Sequence, residues 1–473
     1  MTELFYTIII GLNVLIILYF FLVNSAYISL ILLSYRQVQI SKRKENLYQL
    51  SGLLNTNLYR SATILAPAFN EELSVVASTR ALLNLDYPDY EVIVINDGST
   101  DQTLDHLIHA FDLREVDRHV PELIPTRPIR RIFGSKKHPN LLVVDKENGR
   151  KADALNAGIN VSRKDLVFSI DSDSLLEADA LKKMLMAFTE DDRTIAVGGV
   201  VRVANGCTFR HGAVEKVFVP AGWLTRSQAV EYLRSFLFGR IGWDYLDSLL
   251  IISGAFGVFD RKAVINAGGY LHDTVGEDME LVVRLHRYHL ERKIPYRIRF
   301  LPEPVCWTEI PESIDTLARQ RNRWQRGLAD TLYRHRKMFL NPSYGRLGMV
   351  AMPFFLLVEL LSPVIEIAGL IMTTILYALG LINWSFFLLF FAVTMLLGSL
   401  MSILAILLEE LTMKRYERTR DILILIGYAF IESFGYRQLH LWWRFRGLID
   451  YLRGDKRWGV MTRTKTFGGA TKG

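Results

Sequence analysis

The thirty-two residues from Leu4 to Tyr35 contain no Asp, Glu, Lys or Arg. A helix rises ~1.5 Å per residue, so this run exceeds the ~30 Å hydrocarbon layer of a bilayer, yet two crossings would need ~40 residues. One long or kinked span is expected, with its weak point at Asn24-Ser25. Arg36, Lys42, Arg43 and Lys44 follow it, and the bias of basic residues toward the cytoplasm puts the chain from Arg36 onward on that side. No small-residue cleavage site follows a short apolar core, which argues against a removed signal peptide.

The rest of the chain does not continue in this character. Over 473 residues it is 50% hydrophobic and 22% charged, with a formal net charge of +7. A chain embedded in lipid throughout would carry fewer charges, and a disordered one far fewer aliphatics. The averages describe a soluble domain joined to membrane segments. Cys207 and Cys306, far apart, give no disulfide framework and fit a reducing compartment. Residues 441–473 hold eight Lys or Arg against two Asp, which is +6 of the +7. Basic residues thus flank membrane segments and form no aromatic-studded stripe, so a nucleic-acid partner is not expected.

From Ser61 to about Arg346 the sequence reads as a soluble α/β domain. Short apolar runs at 62–66, 91–95, 141–144 and 166–170 have the look of buried strands. Helical stretches at 71–83 and 151–161 separate them, and the alternation argues for a largely parallel sheet. Arg127, Arg130, Arg131, Lys136 and Lys137 lie in a less regular stretch, readable as a solvated basic loop or as a contact to an acidic surface.

Membrane character returns after Tyr344. Residues 348–361 mix Phe354, Phe355 and Leu356 with Glu359, as an interfacial helix would, and Pro363 marks a bend into a span ending near Leu381. Residues 384–407 make a clearer span, closed by Lys414, Arg415, Arg418 and Arg420. Residues 422–452 read as interfacial or re-entrant, because an even number of crossings keeps the basic tail beside the soluble domain. The expected organisation is a transmembrane helix at 1–35, a cytoplasmic linker at 36–60, a catalytic domain at 61–346, transmembrane and interfacial helices at 347–453, and a basic tail at 454–473.

Chemistry-bearing residues cluster at strand ends, where open α/β sheets bind ligands. They are Pro67 with Glu71, Asp97 in Asn96-Asp97-Gly98-Ser99, and Asp171-Ser172-Asp173. Two carboxylates in such a turn suit a hard cation held against phosphate oxygens. Lys151 and Asp153 open a helix before the Asp-x-Asp strand, placing a cation at a helix N-terminus where a diphosphate could lie. Further on come Ser253-Gly254-Ala255, then Glu277-Asp278, and Gln320-Arg321-Asn322-Arg323-Trp324 just before the membrane region.

Taken together these motifs resemble the family 2 glycosyltransferases of GT-A fold, in particular the membrane-integrated synthases of cellulose, chitin, hyaluronan and poly-N-acetylglucosamine. The resemblance covers nearly the whole chain, and Gln-x-x-Arg-Trp is its most specific part. It implies an α/β GT-A domain flanked by transmembrane and interfacial helices. It also implies that Pro67, Glu71 and Asp97 line the uridine site, that Lys151 and Asp153 serve the nucleotide, and that Asp171 faces the donor. Asp173, with Asp171, would hold Mg2+ or Mn2+. Asp278 would be the general base, with Glu277 supporting it. Gln320, Arg323 and Trp324 would frame the diphosphate and acceptor, Trp324 stacking on the terminal sugar, and Gly254 would line the acceptor channel. Trp458 and Arg463 in the tail resemble a gating loop over the active site, or are a basic tail at the lipid surface.

The activity so implied is inverting, metal-dependent transfer from a UDP-sugar to a growing β-linked polysaccharide, processive and coupled to passage across the plasma or inner membrane. A single transfer to a membrane lipid acceptor is the alternative. UDP-N-acetylglucosamine is the first donor expected and UDP-glucose the second. Accessory export proteins and membrane lipid are the expected partners. The aromatics Phe236, Phe238, Trp243 and Tyr245 read as core packing or as a helix facing lipid or channel. Glu359, Glu366 and Glu432, costly against lipid, are expected to face protein, water or the interface.

Overall fold

The computed structural model describes residues 2–51, 60–171, 174–210, 213–381 and 384–455. Its first element is one helix, Thr2–Ser51, of which Val14–Arg43 is long and apolar enough to cross a bilayer. The expected break at Asn24-Ser25 is absent. Asn24 Nδ2 donates to Phe20 O at 2.7 Å and Ser29 Oγ to Ser25 O at 2.8 Å, so these polar groups turn back onto their own helix. The helix also runs on past position 36, where a linker was expected to begin, to Ser51.

Twelve strands are described: β1 (Ala62–Ala68), β2 (Tyr90–Asn96), β3 (Leu113–Glu115), β4 (Ile129–Ser135), β5 (Leu141–Lys146), β6 (Leu166–Ile170), β7 (Ser174–Leu176), β8 (Thr194–Val203), β9 (Thr208–Arg210), β10 (Ala213–Lys216), β11 (Phe256–Asp260) and β12 (Arg297–Thr308). Ten form a sheet in the order β3-β4-β5-β2-β1-β6-β11-β8-β12-β7, while β9 and β10 pair separately. The four strands read from the sequence, β5, β2, β1 and β6, are neighbours at its centre and are parallel. Outside that centre β12 is parallel to β8, but the remaining pairs depart from the expectation of a largely parallel sheet. β4 is antiparallel to β5, β11 to both β6 and β8, and β7 to β12. The sheet is mixed.

The central strands are buried on both faces, as parallel strands covered by helices must be. One face packs Leu65 and Ile95 against Leu155 and Ile159 of helix Arg150–Val161. Gly158 permits that approach, since a Cβ there would stand 2.8 Å from Leu65 Cδ2. The other face packs Ile64, Val92 and Phe168 against Val75, Leu107, Leu181 and Phe188. This arrangement brings the carboxyl ends of β1, β2 and β6 to one edge.

The membrane-side helices dock on the catalytic domain through helix Trp223–Tyr232 and its π-helical continuation Leu233–Gly239. Ala229, Val230, Leu233 and Phe238 pack there against Ala405, Ile406, Leu408, Leu425 and Ala429. The N-terminal helix joins them where Ser34 Oγ donates to Phe238 O at 2.7 Å and Gln37 Nε2 to Asp244 Oδ2 at 3.0 Å. Gly242 makes room, because a Cβ would meet Leu30 O at 2.9 Å. Helices Leu347–Leu360 and Ser362–Ala378 meet at 46°, the bend expected at Pro363, and helix Trp384–Thr412 carries the second span, Phe391–Leu411. Among the described residues two helices are thus long and apolar enough to cross a membrane, or three if the bent pair is one span.

Candidate active site

A cavity of about 1550 Å³ opens along the carboxyl edge of the sheet. Pro67, Glu71, Asp97, Lys151, Asp171, Gly254, Asp278, Gln320, Arg323 and Trp324 all line it. Residues more than 250 positions apart in the sequence are therefore gathered on one surface.

One wall of the cavity is built on Asp97. The carboxylate accepts from Gly149 N at 3.0 Å, Arg150 N at 2.8 Å and Lys146 Nζ at 2.9 Å, so it fixes the turn that opens helix Arg150–Val161. Gly98 takes φ +68° in this turn, and a Cβ on it would lie 2.8 Å from Asn148 N. Asp97 thus shapes the wall it lines. Asp153 does not reach the cavity. It is 4% exposed, ion-paired to Lys146, and accepts from Arg127 N at 3.0 Å. It stands behind the cavity wall, where the nucleotide service expected of it would not place it, because side chains two apart on a helix point in nearly opposite directions.

Lys151 faces inward. Its ammonium pairs with Asp171, donates to Gly254 O at 3.0 Å and lies 3.8 Å from Glu277 Oε1. Burial pulls this amine down, but Asp171 and then Glu277 outweigh it and hold it above the usual lysine value. Burial pushes the Glu277 carboxyl up; Lys151 draws it back, and Asp278 pushes it up again, so it stays raised.

Asp278 stands in the first turn of helix Glu277–Glu291. Its Oδ2 accepts from Gly254 N at 2.9 Å and its Oδ1 from Met279 N at 2.8 Å, which fix the carboxylate at the cavity wall. A Cβ on Gly254 would sit 3.1 Å from Asp278 Oδ2 and 3.2 Å from Lys151 Nζ, so both side chains would have to shift to admit it. A carboxylate so held, beside a lysine that reaches the Asp171 carboxylate, places a proton acceptor next to an anion-binding cation.

Helix Ile314–Arg334 supplies Gln320, Arg323 and Trp324, and helix Glu277–Glu291 crosses it where Gly276 and Gly327 touch, a Cβ on Gly276 meeting Gly327 Cα at 2.8 Å. Trp324, 37% exposed, presents its ring to the cavity. Asp173, Trp458 and Arg463 lie outside the described residues. Asp171 offers the hard oxygen donor that a divalent cation takes, on the wall beside Lys151, which is the chemistry such an ion at a diphosphate requires.

Sequence reasoning gave no role to Arg240 or Glu231, both in this cavity wall. Arg240 is 7% exposed with the Phe236 ring 4.0 Å from its guanidinium, and burial pulls it down to about 10 against the opposing pull of Asp278. Only their positions in the fold reveal these two, since neither lies in a motif. Phe236, Phe238 and Trp243, read as packing or channel, do both: they are buried and line the cavity. Beyond Trp324 the cavity continues between the membrane-side helices, past Tyr27, Phe354, Glu359, Glu366, Arg437 and Arg444. Glu359 accepts from Tyr27 Oη at 2.8 Å and lies 3.6 Å from Arg444 Nη2, while Glu432 pairs with Arg234 at 2.6 Å. Glu366 lines the cavity 4.0 Å from Arg437 Nη2, so each of the three acids has a basic partner.

A family model described as Glycosyl transferase family group 2 matches residues 166–408, and one described as Glycosyl transferase family 2 matches residues 63–120. The poly-beta-1,6-N-acetyl-D-glucosamine synthase of Staphylococcus epidermidis is 28% identical over 273 residues, 58% of this chain and 55% of that protein. The enzyme of the same name from Staphylococcus aureus strain COL is 28% identical over 282 residues, 59% of this chain and 58% of that protein. The alignments thus span a little over half the length of these relatives. A solved mannosyltransferase from Pyrobaculum calidifontis, in complex with GDP-Man and Mn2+, superposes with a TM-score of 0.50 at 15% identity, covering 92% of this chain and 100% of that one. The fold is GT-A.

Proposed function

The chain belongs to the family 2 glycosyltransferases, and on that footing we propose that it is a membrane-bound, multi-pass synthase. Its cytoplasmic domain lengthens a β-linked polysaccharide from a UDP-sugar and feeds the product into the membrane. One observation carries this reading: the cavity that holds Lys151, Asp171 and Asp278 continues without interruption between the membrane-side helices. A chain growing at Asp278 has a lined path to follow. Paired acids and bases along it, such as Glu359 with Arg444, suit a hydroxyl-rich polymer better than an acyl tail.

The chemistry follows from the side chains. The acceptor hydroxyl oxygen attacks C1 of the donor sugar, its proton passing to Asp278, and the bond from C1 to the diphosphate oxygen breaks with its electron pair leaving on UDP. Asp278 is held by two backbone N–H groups, so it needs no reorganisation to take the proton. Lys151 and Arg323 offset charge gathering on the diphosphate. Asp171, with Asp173, would hold Mg2+ or Mn2+, which would supply further neutralisation of the leaving group. A single displacement inverts C1, so an α-linked donor gives a β-linked product. UDP-N-acetylglucosamine is the first donor to try, since the Staphylococcus relatives are named for poly-N-acetylglucosamine.

The test is direct. Protein in nanodiscs receives radiolabelled UDP-N-acetylglucosamine or UDP-glucose with Mg2+ or Mn2+, and the products are sized before and after specific glycosidases. A ladder or high-mass product is expected, abolished by EDTA and restored by added metal. A single labelled glycolipid would replace the polymer reading with single transfer, and no donor consumption at all would overturn both.

A further inference from the structure

Trp324 owes its orientation to a neighbour that belongs to none of the sequence motifs. Glu231 closes helix Trp223–Tyr232, is 7% exposed, and accepts from Arg321 Nη2 at 2.9 Å. Its carboxylate also takes the Tyr436 hydroxyl and stands 3.5 Å from His440 Nε2, both on helix Tyr436–Leu452. The guanidinium so held is 1% exposed and does two things. It lies over the Trp324 ring, 4.2 Å from the centroid, and its Nη1 donates to Gln320 Oε1 at 2.9 Å. Phe236 meets the same indole edge to face with centroids 6.5 Å apart, and is itself backed by Tyr232, the residue after Glu231, at 4.5 Å.

We infer that Glu231 is a positioning residue for the acceptor: through Arg321 it sets the plane in which Trp324, and the amide of Gln320, meet the terminal sugar. The inference rests on the acceptor role proposed for Trp324. Its physical basis is the cost of burying a guanidinium. Among the described residues Glu231 is the carboxylate that Arg321 pairs with, and without it the cation would turn toward water and leave the indole face. Helices from three separate parts of the chain meet at this carboxylate, so the ring plane is tied to the membrane-side block as well as to its own helix.

The experiment measures both substrates separately, using UDP-N-acetylglucosamine as donor and a β-1,6-linked N-acetylglucosamine pentamer as acceptor. Glu231→Gln and Arg321→Lys are expected to raise KM for the pentamer about tenfold, the scale of one well-placed ring contact, while KM for the donor stays within about twofold. Tyr436→Phe keeps the packing but removes one donor to Glu231, and it should shift the pentamer KM in the same direction by less. That variant decides the matter if Glu231→Gln does not fold. Equal losses in donor and acceptor parameters, or no change in either, would overturn the inference while leaving the synthase reading standing. Wild-type protein that consumes no donor removes both.

Discussion

Two acids near Lys151 show how far a motif reaches and where it stops. Asp278, expected from the family resemblance, stands at a loop-to-helix junction, where Gly254 N and Met279 N hold its carboxylate at the cavity wall. Asp153 shares a motif with Lys151, yet two helical steps turn a side chain through about 200°, it lies away from the cavity lining, and the role proposed for it is scaffolding. Each assignment makes a distinct prediction. Asp278→Asn should lower transfer by ~10²–10⁴-fold, the range for losing a general base, with UDP affinity by calorimetry changed less than about threefold. Asp153→Asn should leave UDP affinity unchanged and instead weaken the fold by ~1–3 kcal/mol, read as a lower melting point in detergent, because Lys146 loses one of its two carboxylates. If UDP affinity falls in Asp153→Asn while the melting point holds, the scaffolding role is wrong.

Among the elements, legibility followed short apolar runs rather than burial alone, since β8, equally buried, carries Gly198, Gly199 and Arg202 and was not read. The strands found from sequence are the apolar runs buried on both faces, β1, β2, β5 and β6, and they occupy the centre of the sheet. β4, with Arg130 and Arg131 in Ile129–Ser135, hid its alternation behind charge, since Arg131 leans across to Asp145 at 3.2 Å. The contact between helices Trp223–Tyr232, Ile314–Arg334 and Tyr436–Leu452 was not legible either, because Arg321 and Tyr436, which hydrogen-bond Glu231, lie 90 and 205 positions away from it in the sequence. It has a measurable acid signature. Burial pushes the Glu231 carboxyl up, but Arg321, His440, Tyr436 and Arg234 outweigh it and hold the group down to about 2. A depressed carboxylate stabilises the fold above its unfolded value of about 4.3, and that contribution, ~3 kcal/mol, is lost as pH falls from there toward 2. The melting points of wild type and Glu231→Gln should therefore differ most at neutral pH and draw together as pH falls from about 4.3 toward 2. His440, which burial holds down to about 3 against the upward pull of Glu231, adds an acid loss of its own, so the two proteins are compared in a His440→Gln background. A gap that stays constant across this range would show that Glu231 is not ionised against Arg321.

At the scale of the whole molecule, long apolar runs picked out the helices able to cross a membrane and motifs at strand ends picked out the α/β domain, but neither could show that one cavity joins them. That depends on how helix Trp223–Tyr232 and its π-helical extension are set between the sheet and the spans. The joining predicts a separation of chemistry from product length. Gly398 lines the far, membrane-side end of the cavity, and a Cβ there would point at Arg437 Nη1, 2.6 Å away, the movable end of a long side chain. Gly398→Phe should therefore be accommodated by displacing Arg437 and placing a ring in the passage. No reacting group is near it, so the first transfers to an added oligosaccharide should proceed at close to the wild-type rate. A polymer that must thread the passage would stall, and the product should shift from high mass to short oligomers on sizing gels. An enzyme that adds one sugar to a lipid would give the same product with either residue. A Gly398→Phe protein that still makes full-length polymer would mean the chain leaves the site by another route, and that the continuity of the cavity is not the path of the product.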